Sequence, residues 1–437
     1  MRDFCYLQSE AEYVLFGAFG TLTKNVKPTI FSNASTLISC GLAVALFAVS
    51  AVDAQVVQTP VMGKTGIRLY DRRVPRTEII LPQVKGYNIY KGDFHVHTIY
   101  SDGEVTPRER VREAWYDGLD IIAITDHLEL RSYEKFMLKV LAPYNKTSEP
   151  FKYEHAGIAN KKDKNAPVLA NLNAAYDEAV YYAERENLPI MLVRGTEIWR
   201  DTKSIGEYNA LFLKDINAIC HPDLFETFRR VKEQGGVIMH NHPGYTRTTT
   251  DIAEGEQARA YEEGWIDGVE AVNSTSLHPQ IIRRCIEKGL FIAANTDAHR
   301  PTSHDWSAGG EFFRTMTFIL AKSCTEQDIK EALKKGRTIG YVANNLVGEE
   351  SLLAKFLNQA VTCRVVAQNS EKGTRTYSIT NNCSVPFILH RGGSISHLKP
   401  FSTLNFTIDK GKALTFVVDN MWHIDEQHPT VEVAVDR

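Results

Sequence analysis

Asp93-Phe94-His95-Val96-His97, followed at once by Tyr100-Ser101-Asp102-Gly103, decides how this chain is read. The run has the character of a strand whose last residues carry two histidines two positions apart. Side chains at period 2 share one face of a strand, so both imidazoles point the same way, and at the C-terminal end of a barrel strand that way is the open mouth. Neutral imidazole is the commonest transition-metal ligand, and two on one strand can grip one ion. A packed or exposed histidine pair explains an isolated His-x-His equally well. The weight therefore rests on what the neighbouring strands carry.

Outward from this run the arrangement repeats. Ile124-Thr125-Asp126-His127 ends the next apolar strand, Gly195-Thr196-Glu197 another, Asn241-His242-Pro243-Gly244 another, and Asn295-Thr296-Asp297-Ala298-His299 the last. Buried carboxylates and imidazoles without partners are costly, and divalent cations are the economical partner for so many of them. Between these ends, Thr106-Pro107 opens a helix through Trp115 with an N-cap and a proline in the first turn. Strands are expected over 121–124, 190–193, 237–241, 268–272 and 290–295, and helices over 171–186, 222–234 and 279–288. Strand-helix alternation of this kind predicts a parallel α/β barrel or a related layered fold. Beyond Leu357 the helical patterns stop, and short apolar runs from 361 to 435 read as a small β-sandwich.

The 437 residues suffice for two domains, and 43% apolar with 24% charged residues allow a sizeable core and exclude wholesale disorder. Lys and Arg number 50 against 53 acidic residues, so no nucleic-acid-binding surface is evident and any anionic substrate must be attracted locally. Seven cysteines without a Cys-x-x-Cys or dense spacing give no support to a zinc-finger or disulfide scaffold, although Cys363 and Cys383 are a candidate pair in an oxidising compartment. Near the N-terminus, Lys24 and Lys27 precede the apolar run 37–49 and the small-residue exit around Asp53-Ala54-Gln55. That pattern predicts a signal peptide cleaved after Ala54, export to the periplasm or beyond, and no membrane span in the processed protein. The expected division is 1–54 as extension and signal, 55–90 as an extended arm, 91–345 as the barrel and 357–437 as the β-domain.

The five strand-end motifs, in this order and with Thr106-Pro107 opening the helix after the first, resemble the PHP family, the polymerase and histidinol phosphatase superfamily, from about Lys91 to Asn345. The resemblance implies a distorted (β/α)7 barrel with two or three divalent ions (zinc, manganese or iron) at its mouth. It implies that His95, His97 and Asp297 bind the first ion, that Glu197 bridges to the second, and that His242 binds the second. Asp102, His127 and His299 would hold the third. Where family members carry a histidine on the strand after the bridging glutamate, this chain has Asn209. The implied reaction is hydrolysis of a phosphorylated small molecule, a mono- or diester, by a metal-bound hydroxide. Glu197 and Asp297 are its catalytic carboxylates and His299 the candidate proton donor. Arg131, Tyr245 and Arg300 follow metal motifs closely and are candidates for gripping the substrate. An amidohydrolase-type hydrolase and a non-catalytic metal-bearing module are the alternatives.

Overall fold

Fully buried strands build the centre of the molecule. In the computed structural model, which describes residues 75–131, 171–199, 205–245, 249–306 and 310–435 together with the short strand pair Glu154–His155 and Val168–Leu169, the first strands are β1 (Asn88–Asp93), β2 (Ile121–Ile124) and β3 (Met191–Trp199). They are followed by β4 (Glu207–Leu211), β5 (Val237–His240), β6 (Gly268–Asn273) and β7 (Phe291–Asn295). Next come β8 (Met316–Ala321), β9 (Thr338–Val342) and β10 (Asn345–Val347). Every residue of β2, β4, β5, β7, β8 and β9 is buried, which is why these strands read as mostly apolar runs, β4 excepted, since it carries Glu207 and Asn209. The expected signal peptide and the first part of the arm lie outside the described residues. Among the described residues, no helix is long and apolar enough to cross a membrane.

Helices cover the sheet. They are α1 (Pro107–Tyr116), α2 (Ala174–Glu186), α3 (Leu224–Glu233), α4 (Glu256–Glu262), α5 (Pro279–Lys288), α6 (Glu326–Lys334) and α7 (Glu350–Ala360). The start of α1 is set as its sequence predicts, with Pro107 in the first turn and the Thr106 side chain accepting from the Glu109 amide. At the other end of α5, Gly289 takes the left-handed conformation (φ 67°) and stops the helix.

Strand order in the main sheet is β7-β6-β5-β4-β3-β2-β1-β8-β9-β10, extended by a short strand of the tail, Met421–Trp422. The sheet curls because chain beyond β1 meets chain beyond β7: the His97 amide donates to the Ala298 carbonyl at 3.0 Å and the Asp297 amide to the His95 carbonyl at 2.9 Å. Along β7, the Ala294 and Ile292 amides donate to the hydroxyls of Thr317 on β8 and Thr338 on β9, so buried backbone groups are paired by side chains there.

A wholly parallel barrel is not what forms. Pairs β1/β2, β2/β3, β5/β6 and β6/β7 are parallel, whereas β3/β4, β4/β5, β1/β8, β8/β9 and β9/β10 are antiparallel. Parallel neighbours need a crossover of about a dozen residues. Trp199 and Glu207 are too close in sequence to provide one, so β4 runs back along β3. The connection from β9 to β10 is tighter still, with Ala343 and Asn344 both at positive φ (44° and 64°) in a hairpin turn.

Past α7 the chain is all β. One sheet is formed by Val361–Asn369, Thr374–Asn381 and Thr403–Asp409, and another by Ser394–Leu398, Phe387–Arg391, Thr415–Val418 and Thr430–Glu432. The core is continuous between this tail and the main sheet. Phe356 of α7 lies 6.2 Å (ring centroids) from Phe318 of β8 on one side and 6.3 Å from Phe387 of the tail on the other. Cys363 and Cys383 are both buried and no disulfide joins them, so the candidate pair is not formed; the Cys383 thiol points to the Val385 carbonyl.

Candidate metal centre

At the C-terminal ends of these strands the ionisable side chains converge into three adjoining pockets. In the first, the Nε2 atoms of His95 and His97 are 3.1 Å apart. Each lies 3.3 Å from Glu197 Oε2 and 3.2 Å from Asp297 Oδ1. Four donors around one ion at ~2.0 Å in a tetrahedron stand ~3.3 Å from each other, so the spacing is that of a ligand shell.

His95 is aimed by a residue that the motifs do not contain. Glu270, in the middle of β6 and fully buried, places Oε1 2.9 Å from His95 Nδ1 and accepts from the Asn295 amide at 2.8 Å. With Nδ1 donating to Glu270, Nε2 keeps its lone pair for the pocket. The other oxygen of Glu270 accepts from the His242 backbone amide at 2.8 Å. The signal was an isolated acid inside the apolar run Gly268-Val269-Glu270-Ala271-Val272.

A second pocket surrounds His242 Nε2. Glu207 Oε2 is 3.1 Å away, Glu197 Oε1 3.4 Å and Asp297 Oδ2 3.9 Å. Glu197 and Asp297 thus each turn one oxygen into the first pocket and the other into the second. His242 and Asp297 both have positive φ (25° and 52°), a conformation that costs L-residues energy and recurs at functional sites. Asn209, two residues deeper on β4 than Glu207, donates to the Phe94 carbonyl at 2.8 Å and accepts from the Asn241 amide at 2.9 Å. Both ends of its amide are committed, and the carboxylate of Glu207 is what β4 offers the centre. His240 is a core residue hydrogen-bonded to the Tyr261 hydroxyl at 2.6 Å.

The third pocket groups His97, Asp102, His127 and His299. Asp102 reaches His127 Nε2 at 3.4 Å and His299 Nε2 at 3.3 Å. Asp126 acts beside it by accepting from the Thr98 amide and from the hydroxyls of Thr98 and Ser101, the last of which is 3.3 Å from His97 Nδ1. Gly103 is required here: a Cβ at this position would sit 2.6 Å from the His97 carbonyl.

The electrostatics call for cations. Burial pushes the carboxyl groups of Glu197, Asp297 and Asp102 up, yet the surrounding imidazoles hold all three well below the usual carboxylate range. Burial pulls His97 down, but Asp297 and Glu197 lift it from 6.5 to about 10, and His95 and His242 are likewise raised by their acidic neighbours. Protons on the rings supply the positive charge that the carboxylates demand, a task that divalent ions perform with the rings neutral. Among the described residues, Asp102 Oδ1, His127 Nδ1 and Asp297 Oδ1 are buried beside charged neighbours but make no well-aligned hydrogen bond. Orphaned acceptors of this kind fit metal ligation.

Comparison with known proteins agrees with this geometry. The PHP domain family matches residues 93–269. A two-domain protein of Bacteroides vulgatus, said to contain a predicted PHP-like metal-dependent phosphoesterase, is 30% identical over 83% of this chain and 99% of its own, with a TM-score of 0.69. This chain belongs to the PHP family. An uncharacterized protein of Methanocaldococcus jannaschii is 26% identical over 147 residues, which is 32% of this chain and 63% of that relative's length.

Within this PHP centre the structure brings together His95, His97, Asp102, His127, Glu197, His242, Asp297 and His299. Of the substrate candidates, Arg131 donates to the His127 carbonyl at 2.8 Å, and Arg300 is an exposed side chain 3.5 Å from Glu104. The Tyr245 ring is 75% exposed and lies 5.4 Å (centroids) from that of His242.

Proposed function

We propose that this chain is an exported, metal-dependent phosphoesterase hydrolysing phosphate mono- or diesters of small molecules. The observation that carries the reading is the pair Glu197 and Asp297, each dividing its two oxygens between adjoining pockets. Ions bound there supply water activated at neutral pH and neutralise charge on phosphate oxygens. Glu197 is kept in its divided orientation by the Asn241 amide, which donates to Oε1 at 2.6 Å. Glu197, Asp297, Asp102 and Glu207 offset four of the six charges of three divalent ions, so a fully loaded centre keeps a positive mouth in a chain of net charge −3 and draws in anions.

His299 is the most open imidazole of the set, its side chain 37% exposed, with Nδ1 tied to the Asp297 carbonyl at 2.8 Å. With Nδ1 committed to that carbonyl, only Nε2 is left either to ligate or to carry a proton, and we assign His299 the proton that the leaving oxygen needs in the two-ion form of the centre, where it holds no ion. Tyr245 supplies an exposed ring beside His242 for the leaving group, and Arg131 and Arg300 supply cations near the third pocket for phosphate oxygens. Export rests on the basic, apolar and small-residue succession ending at Ala54. The test is a panel of phosphomonoesters and phosphodiesters offered to purified, metal-analysed protein before and after chelation. Hydrolysis that disappears with the metal and returns on its readdition is expected. Full activity at metal content near zero, or no hydrolysis of any ester by the loaded protein, would overturn the reading. Export is checked separately by the mature N-terminus in the native host, expected at Gln55.

A further inference from the structure

The two pockets that share Glu197 and Asp297 differ in what else lines them. The first adds two imidazole nitrogens. The second adds one, from His242, together with Glu207, so its donors are a single nitrogen and up to three carboxylate oxygens. The third is the opposite case, three imidazoles around one carboxylate.

Glu207 is buried, and its carboxylate has no ion-pair or hydrogen-bond partner other than the His242 ring among the described residues. That contact is made through His242 Nε2, the same atom that faces Glu197 and Asp297. One nitrogen cannot donate a proton to Glu207 and at the same time offer its lone pair to an ion. When His242 ligates, Glu207 loses its partner and becomes a buried, uncompensated anion unless the ion itself takes up its oxygen. Its position is held from the backbone, since the Glu207 carbonyl accepts from the Asn241 amide at 2.9 Å, one residue before His242. Asn209, which stands where the family resemblance implies a histidine ligand, is spent on Phe94 and Asn241 and is not available.

We propose that Glu207 is a ligand of the second ion, that it takes over from the amide at 209, and that it makes this position selective for a hard divalent cation such as Mn²⁺ while the imidazole-rich pockets take Zn²⁺. Carboxylate and water donors suit manganese and magnesium, whereas imidazole suits zinc. The centre is then a mixed-metal one by construction. The inference rests on the metal-centre part of the preceding reading and is independent of which ester is cleaved.

The experiment uses the full chain, stripped by chelation and dialysed against Mn²⁺ in large excess over a limiting two equivalents of Zn²⁺, because zinc wins any equal competition, with metal content measured by mass spectrometry and bound Mn²⁺ by electron paramagnetic resonance. The unaltered protein should retain zinc together with about one equivalent of manganese. Glu207→Gln keeps the shape and removes the charge; manganese affinity should fall at least ~10-fold while zinc content stays. Glu207→His should exchange the manganese for additional zinc. Should Glu207→Gln lose zinc as well, the Glu207→His exchange decides. Manganese bound as tightly by Glu207→Gln as by the unaltered protein, or zinc alone filling the unaltered protein, would overturn the proposal. Failure of the unaltered protein to bind either ion would overturn the metal-centre reading instead.

Discussion

Glu270 shows how much of the centre depends on side chains that touch no ligand site directly. Replacing it with Gln leaves the shape and removes the charge that holds His95 Nδ1 and the His242 amide. First-pocket affinity should fall by roughly 10–100-fold, as read by competition with a chromophoric chelator, with little change in the folded spectrum. Asn209→His has the opposite logic from that suggested by the family pattern. The larger ring abandons two buried hydrogen bonds and gains no ion, so metal content should stay level while denaturant titration records a loss of about 1–3 kcal/mol. The histidines and Asp297 were legible because strand ends repeat one residue chemistry at one position. Glu207 was not, because period 2 puts residues 207 and 209 on the same face and sequence cannot say which depth meets the centre.

At the scale of an element, α1 carries the clearest dependency. Arg110 is completely buried in its inner face and donates to the carbonyls of His97, Ala298 and Arg300, each at 2.8 Å, while also bonding Glu113. One guanidinium therefore fixes the two chain segments that bring His97, Asp297 and His299 together. Arg110→Lys keeps the charge but lacks the fork to reach three carbonyls. It should cost at least ~2 kcal/mol in stability and speed metal loss on dialysis, a pairing that distinguishes it from a surface helix substitution. The start of α1 was written in Thr106-Pro107, and α5 matched its expected bounds. The antiparallel strands β8 and β9 were harder to place because burial on both faces erases alternation, the cue that marks a strand and its layer.

For the whole molecule, the charges of the centre predict how stability follows pH once metal is removed. His97 is raised from 6.5 to about 10, so its contribution is complete below pH ~6.5 and is lost as pH rises towards 10. Glu197 and Asp297 are lowered, so theirs is present above the ordinary carboxylate range and is lost as pH falls through their depressed values. Chelated protein should melt progressively earlier from pH 6.5 to 10, whereas metal-loaded protein, whose rings carry no extra proton, should lack that alkaline decline. Thermal scans of both forms across the range check this, and parallel curves would show that the rings are not protonated in the metal-free state.

Phe356 stands between Phe318 and Phe387, and through it the strand layer beneath the pockets and the tail share one interior. Opening either side to water exposes the other, so the two should exchange their amide hydrogens at a common rate set by complete unfolding. Metal added at the mouth would then slow exchange at Val417 or Leu389, residues of the tail that contribute nothing to the pockets. In heredity the same ring imposes a constraint: the tail cannot be traded for an unrelated module by recombination after α7 unless the newcomer brings its own partner for that aromatic face.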